Sequence, residues 1–252
     1  MKVDPIKTRV FREGEELLAF IREHVKKLPE DSVLVVTSKI VALAEKRTVV
    51  IKDDKTRERT IKAESDFAIR TPYTWLTLKD GLLMSSAGVD ESNADGKIIL
   101  LPKDSYHAAA KLRRDLMKAY RVKRLGVLIP DSRVLPLRQG AVGVAMGYAG
   151  FKGIRDYRGT PDIFGRLLKI SRTNTPDGLA SAAVLVMGEG NERQPLALIT
   201  NAPVEFIDRI TKGEVMIPPE DDMYRPFFDA LPSMRRTLKR GQITRATTKK
   251  RR

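Results

Sequence analysis

The chain has 252 residues, 42% of them apolar, and carries 47 Lys and Arg against 32 Asp and Glu, for a formal net charge of +15. That length and apolar content can bury a substantial core, while no run approaches the roughly 18 apolar residues of a membrane span, and the opening MKVDPIKTRVFREGEEL has no signal-peptide apolar core. These features predict a cytoplasmic protein without a membrane; zero Cys excludes disulfides, thiolate metal sites and a Cys nucleophile, and two His are too few for a His-rich metal site, so any metal would be held by oxygen.

In chain order, EELLAFIREHV sets Leu17, Leu18, Phe20, Ile21 and Val25 at helical spacing, and DSVLVV follows as a buried strand that passes into a second helix around KIVALAEKR. TVVIKDD reads as a short strand ending in a turn. Residues 55 to 80 are polar and mixed and predict irregular structure with short strands, anchored by Trp75 and Leu76. KIILLP is a short buried strand. Asp104 or Ser105 can cap the next helix, which places Ala109, Leu112, Leu116 and Ala119 on one face; His107 reads as a surface residue, and Arg113 and Arg114 as surface or salt-bridge residues. RLGVLIP is a buried strand that Pro130 should stop, followed by an acidic turn and spaced glycines at 140, 143, 147 and 150 that permit close backbone approach. LLKISRT reads as a strand, DGLASAAVLVMGEG as an apolar helix capped by Asp177 and ended by glycine, and PLALIT as a strand. Helices and strands mix without regular alternation, which predicts an α+β fold. The body spans residues 1–232. Residues 233–252 hold nine Lys and Arg and no acid, and predict a disordered tail able to touch a polyanion.

Three acidic turns stand at the ends of apolar elements: Asp90 in SSAGVDESNADG, Asp131 in VLIPDSR and Glu189 in VLVMGEGNE. Two readings are open. They are three independent surface turns, built from the residue types that turns need. Alternatively they form a set of oxygen ligands for a hard divalent cation, with positions left for phosphates and water. Lys39, Arg133, Arg138 and the Gly188 and Gly190 amides offer cations and donors for phosphate. No G-x-x-x-x-G-K-[ST] or G-x-G-x-x-G pattern occurs, so a nucleotide site would have another architecture.

AGVDESN, LGVLIPDSRVLPLRQGAVGVAMGYAGFKGIRDYRGTPDIFGRLL and AAVLVMGEGNERQP, in this order, resemble successive blocks of the coenzyme F-420: L-glutamate ligase family. The pattern I-x-D-[ST]-x-x-x-x-x-R-x-G-x-x-G-x-A-x-G-x-x-G is met by Asp131, Ser132, Arg138, Gly140, Gly143, Ala145, Gly147 and Gly150, and continues through Asp156, Gly159, Asp162, Gly165 and Arg166. The resemblance implies an α+β fold of the F-420:gamma-glutamyl ligase type in an intertwined homodimer. It implies that Asp90, Asp131, Ser132 and Glu189 hold one or two magnesium or manganese ions, with Asp90, Asp131, Glu189 and Arg138 in the catalytic machinery. Ser38, Lys39, Asn93, Gly188 and Gly190 would contact GTP, or ATP. The implied reaction joins L-glutamate to an acceptor carboxylate through an acyl phosphate.

The chain departs from the family where Lys7, Thr8 and Arg9 replace a Gly-Leu-Pro type segment, where Leu43 replaces a lysine in TSKIVALAEKR, and where Pro130 precedes Asp131. These departures leave open the choice between GTP and ATP, and the acceptor: the deazaflavin coenzyme, a folate-like tail, a glutamate chain or a peptide. They also motivate a rival, a non-catalytic basic RNA- or ribosome-binding descendant. Aromatic content of 6% without a clustered stripe gives that rival no stacking platform.

Overall fold

The computed structural model describes residues 1–208 and 212–230, so the basic tail predicted at 233–252 lies outside the described residues. These form a mixed α and β structure, in agreement with the predicted α+β class, and divide into two compact units. The first comprises Met1–Arg47 and Pro102–Val215; the second comprises Thr48–Leu101 and the chain from Met216.

The first unit is built on a five-stranded sheet in the order β1 (Lys2–Ile6), β12 (Leu196–Thr200), β2 (Ser32–Val36), β8 (Leu125–Val134), β9 (Ala141–Ala149). Only the β2–β8 pair is parallel. β2 is an unbroken apolar run because both of its faces are covered. Leu34 and Val36 join Leu125, Val127, Ile129 and Leu196 under α1 (Leu17–His24), α2 (Ser38–Ala44) and α4 (Ser105–Tyr120). Val33 and Val35 join Leu128, Ala197 and Ile199 under α5 (Thr175–Met187) on the opposite face. β1, carrying Pro5, sits at the sheet edge, where the missing N–H costs no ladder bond. β10 (Ile154–Asp156) pairs with β11 (Arg172–Asn174) apart from this sheet.

Pro130 does not stop its strand. β8 runs through it to Val134, and the ladder absorbs the proline by a register shift: Ile129 pairs with Gly147, but Pro130 pairs with Ala145. The extra residue, Met146, makes a bulge in β9 that reverses which face its side chains take. Beyond the bulge Gly147 lies against α4, where a Cβ would run into Ser105 and Tyr106; before it Gly143 lies against α5, where a Cβ would strike the Ala180 carbonyl. Two helices can therefore approach one strand from opposite sides.

Asp104, one of the two expected caps, starts α4, its carboxylate accepting from the His107 amide at 2.9 Å. Other boundaries differ from expectation. α5 begins before Asp177, because Asn174 takes the cap position and accepts from the Asp177 amide at 3.2 Å. LLKISRT contributes strand only from Arg172; the segment before it is irregular, and Ile170 is 84% exposed. Of the two readings of Arg113 the ion pair holds: its Nη2 pairs with Asp208 at 2.8 Å, while the residue is 8% exposed and its Nε donates to the Leu125 carbonyl at 2.7 Å.

The second unit contains the antiparallel pair β3 (Thr48–Val50) and β7 (Lys97–Ile99), helix α3 (Asp54–Ala63), the meander β4 (Phe67–Arg70), β5 (Trp75–Lys79), β6 (Leu82–Ser85), and the short helix α6 (Arg225–Ala230). α3 replaces the irregular structure predicted for this region. Only Ile61 of its ten residues is buried, so its sequence carries almost no apolar period, although Asp53 caps it through the Thr56 amide.

Candidate active site

In the first unit, the reach of β8 past Pro130 delivers Asp131, Ser132 and Arg133 as consecutive strand residues rather than as a turn. Strand alternation divides them. Asp131 and Arg133 share one side, where the Ser38 hydroxyl on α2 donates to Asp131 Oδ1 at 2.7 Å and Arg133 Nη1 donates to Asp131 Oδ2. Ser132 takes the other side, and its hydroxyl donates to Glu189 Oε1 at 2.5 Å. Glu189 is held there by the end of α5, where Gly188 adopts φ +80° and closes the helix by donating its N–H to the Val184 carbonyl at 3.0 Å. The Gly190 amide donates to Glu192 Oε2 at 2.8 Å, so both glycine amides expected to meet phosphate have acceptors within the chain. Lys39 follows Ser38 on α2 and is half-buried; Arg138 is exposed in the loop joining β8 to β9.

A second group of polar side chains lies behind β9. Asp177 Oδ1 accepts from the Ala145 amide at 2.8 Å, and Oδ2 accepts from Asn174 Nδ2 at 2.6 Å, so the carboxylate expected to cap α5 instead ties that helix to β9. Burial raises its pKa above the ordinary carboxylate value. Tyr106, in the first turn of α4, is pushed up to about 12, chiefly by burial and then by the charges of Asp177 and Glu214. Glu214 accepts from the Tyr148 hydroxyl at 3.1 Å and from the Gly153 amide at 2.8 Å. Nothing in the sequence spacing points to this group, because its members come from four separate segments.

In the second unit, buried Thr77 on β5 accepts from the Ala87 amide at 2.7 Å and fixes the start of the loop that carries Asp90. Asp90 exchanges backbone bonds with Ile99, and its carboxylate accepts from the Ser92 amide at 2.7 Å and the Ser92 hydroxyl at 2.9 Å. That is the turn chemistry of an aspartate bonding its own loop. Glu91 pairs with Arg57 of α3 at 3.1 Å, and Asn93 adopts φ +54°, a conformation asparagine tolerates.

Within neither unit do three or more acidic or His side chains gather as a metal-binding group among the described residues. The donor chemistry of the first unit nevertheless fits magnesium or manganese, which need only one or two carboxylates when phosphates and water complete the shell. Asp131, a quarter exposed, and the hydroxyls of Ser38 and Ser132 are hard oxygen donors.

The fold thus holds a glycine-spaced strand between two helices, with the Asp131–Ser132 pair on the neighbouring strand; comparison of the sequence with known proteins identifies a family of ligases. The sequence profile described as F420-0:Gamma-glutamyl ligase matches residues 60–201, and the chain belongs to that family. A Coenzyme F420:L-glutamate ligase from Methanococcus maripaludis is 33% identical over 225 residues, covering 81% of this chain and 90% of the relative. Proteins of the same name from Methanopyrus kandleri and Methanocaldococcus jannaschii are 34% identical over 226 residues and 42% identical over 148 residues. The first covers 82% of this chain and 89% of itself, the second 58% of each. No described helix is long and apolar enough to cross a membrane.

Proposed function

We propose that this protein is a nucleotide- and divalent-metal-dependent glutamate ligase that forms an amide between an acceptor carboxylate and the amine of L-glutamate. The observation that carries this reading is Asp131, held by Ser38 and Arg133 on the reach of β8 that carries the family's Asp-Ser pair. An acceptor carboxylate oxygen attacks the terminal phosphorus of GTP or ATP, and the nucleoside diphosphate leaves. The glutamate amine then attacks the acyl carbon, inorganic phosphate leaves, and the amine gives up a proton. A divalent cation bound by Asp131 would neutralise charge on the transferring phosphoryl group, and Glu189, held by Ser132 on the other side of β8, is the candidate ligand of a second. Ser38 orients Asp131, Ser132 orients Glu189, and Lys39 and Arg138 are the candidate contacts to phosphate. The acceptor class is the deazaflavin coenzyme, after which the relatives are named, with a folate-like or glutamate-chain acceptor as the alternative outcome.

The active form in this reading is a homodimer. Its support is apolar surface on two loops of the first unit: Val134, Leu135 and Leu137 at the β8–β9 tip, and Ile163, Phe164 and Ile170 between β10 and β11, Leu137 being fully exposed. Mass spectrometry of the purified protein with L-glutamate, GTP or ATP, magnesium or manganese, and each acceptor tests the reaction. Acceptor masses rising by one glutamyl residue with nucleotide consumed, and stopping with EDTA, are expected. Absence of product, nucleotide binding and metal binding together would refute it and favour the RNA-binding alternative.

A further inference from the structure

The guanidinium of Arg133 is a buried charge without a full set of partners. The residue is 8% exposed, and it spends Nη1 on Asp131 Oδ2 and on the Ser132 carbonyl at 2.9 Å. Among the described residues Nη2 finds only the sulfur of Met146, the bulge residue of β9, at 3.3 Å, and Nε is buried without an acceptor. Thioether sulfur is a weak acceptor. A buried cation that leaves one donor unmatched and another on sulfur is poorly satisfied where it lies. Its one strong bond goes to Asp131, whose other oxygen is already fixed by Ser38. A divalent cation approaching Asp131 must compete with Arg133 for Oδ2, and a guanidinium displaced from that oxygen carries a fork matched to phosphate.

We infer that Arg133 is a displaceable counter-ion of Asp131: it opposes bare metal binding at that carboxylate, and once the metal takes the oxygen it turns to hold the nucleotide phosphates. This rests on the proposed metal- and nucleotide-dependent reaction. It differs from a structural role by predicting affinity changes of opposite sign. In Arg133→Met, Mn²⁺ alone should bind about tenfold more tightly, a coupling of ordinary size between interacting sites. GTP or ATP at saturating Mn²⁺ should bind about tenfold more weakly, again an ordinary coupling. Arg133→Lys should restore both toward the parent values.

The experiment is Mn²⁺ titration by electron paramagnetic resonance and nucleotide titration by calorimetry on the full chain. Thermal melts would accompany them to establish that each variant folds. On the unmutated protein, ¹⁵N NMR should show the Arg133 Nε–H protected from solvent without metal, and shifted with faster exchange at saturating Mg²⁺; this measurement needs no variant. Mn²⁺ affinity unchanged or weakened in Arg133→Met, or an Nε–H signal unmoved by bound Mg²⁺, would overturn the inference and leave the ligase reading intact. A parent protein that binds neither Mn²⁺ nor nucleotide, separately or together, and forms no product would overturn both.

Discussion

Gly143→Ala tests whether the glycine spacing of β9 exists to seat α5. The added Cβ would lie 2.6 Å from Ala180 C and 2.7 Å from Val184 Cγ2, and closer still to the Ala180 carbonyl oxygen, on the helix that ends at Gly188. Val184 can turn aside, but helix backbone cannot, so α5 must recede by about 1 Å to recover the 3.5–4 Å spacing of carbon contacts. Overpacking of this kind costs about 1–3 kcal/mol. For a domain of this size, a loss near 2 kcal/mol lowers Tm by about 4–8 °C. The same shift pulls at the 2.5 Å bond from Ser132 to Glu189 and at the 2.8 Å bond from the Ser181 hydroxyl to the Gly143 carbonyl. Misplacement by about 1 Å can lower a catalysed rate by about 100-fold. Gly178→Ala is the matched control. It lies on the exposed side of the same helix with nothing within 4 Å of an added Cβ, and should gain about 0.5–1 kcal/mol from helix propensity. Calorimetric melts and initial rates of glutamate addition read both. A Gly143→Ala protein with the parent Tm and rate, or a Gly178→Ala protein destabilised to the same degree, would refute the close-approach argument.

Asp131→Asn should abolish turnover and also lower stability by about 1–3 kcal/mol, because it weakens a charged hydrogen bond and leaves Arg133 short of its counter-charge. Asp131→Asn with Arg133→Met should recover part of that stability in urea denaturation while turnover stays absent. Asp177 has a raised pKa in the fold, so the native state holds a proton that the unfolded chain has released. Stability should therefore fall as pH rises from the ordinary carboxylate value through the raised one, and the slope should be missing in Asp177→Asn. Tyr106 follows the same sign at the alkaline end: ultraviolet titration should find one tyrosine ionising near pH 12, the folded protein should lose stability above about pH 10, and Tyr106→Phe should remove both signals. Arg113→Met should cost about 1–3 kcal/mol in melts, since the buried Leu125 carbonyl loses its donor.

Much of the architecture was written locally. The cores of α1, α2 and α4, the two-sided apolar run of β2 and the glycine after α5 follow from periodicity, strand composition and chain stiffness, which act over a few residues. The order of motifs likewise carried the family, and with it the expectation of a ligase. What the sequence by itself could not determine was how distant pieces meet. α3 was illegible because a helix with a single buried residue has no apolar period to read. Pro130 looked like a strand end because a proline lacks its ladder donor, and only the partner strand's bulge at Met146 shows how the pairing continues. That continuation decides the candidate site: it turns Asp131 from a turn residue into a strand residue, and alternation then sends Asp131 to Ser38 and Ser132 to Glu189. Asp177 read as a cap because its neighbours in sequence are helical, whereas its strongest demand, a buried carboxylate needing donors, is met by Ala145 across the fold. Local chemistry set which elements form, and tertiary packing decided which polar groups are buried together, because burial and pairing depend on residues far apart in the chain.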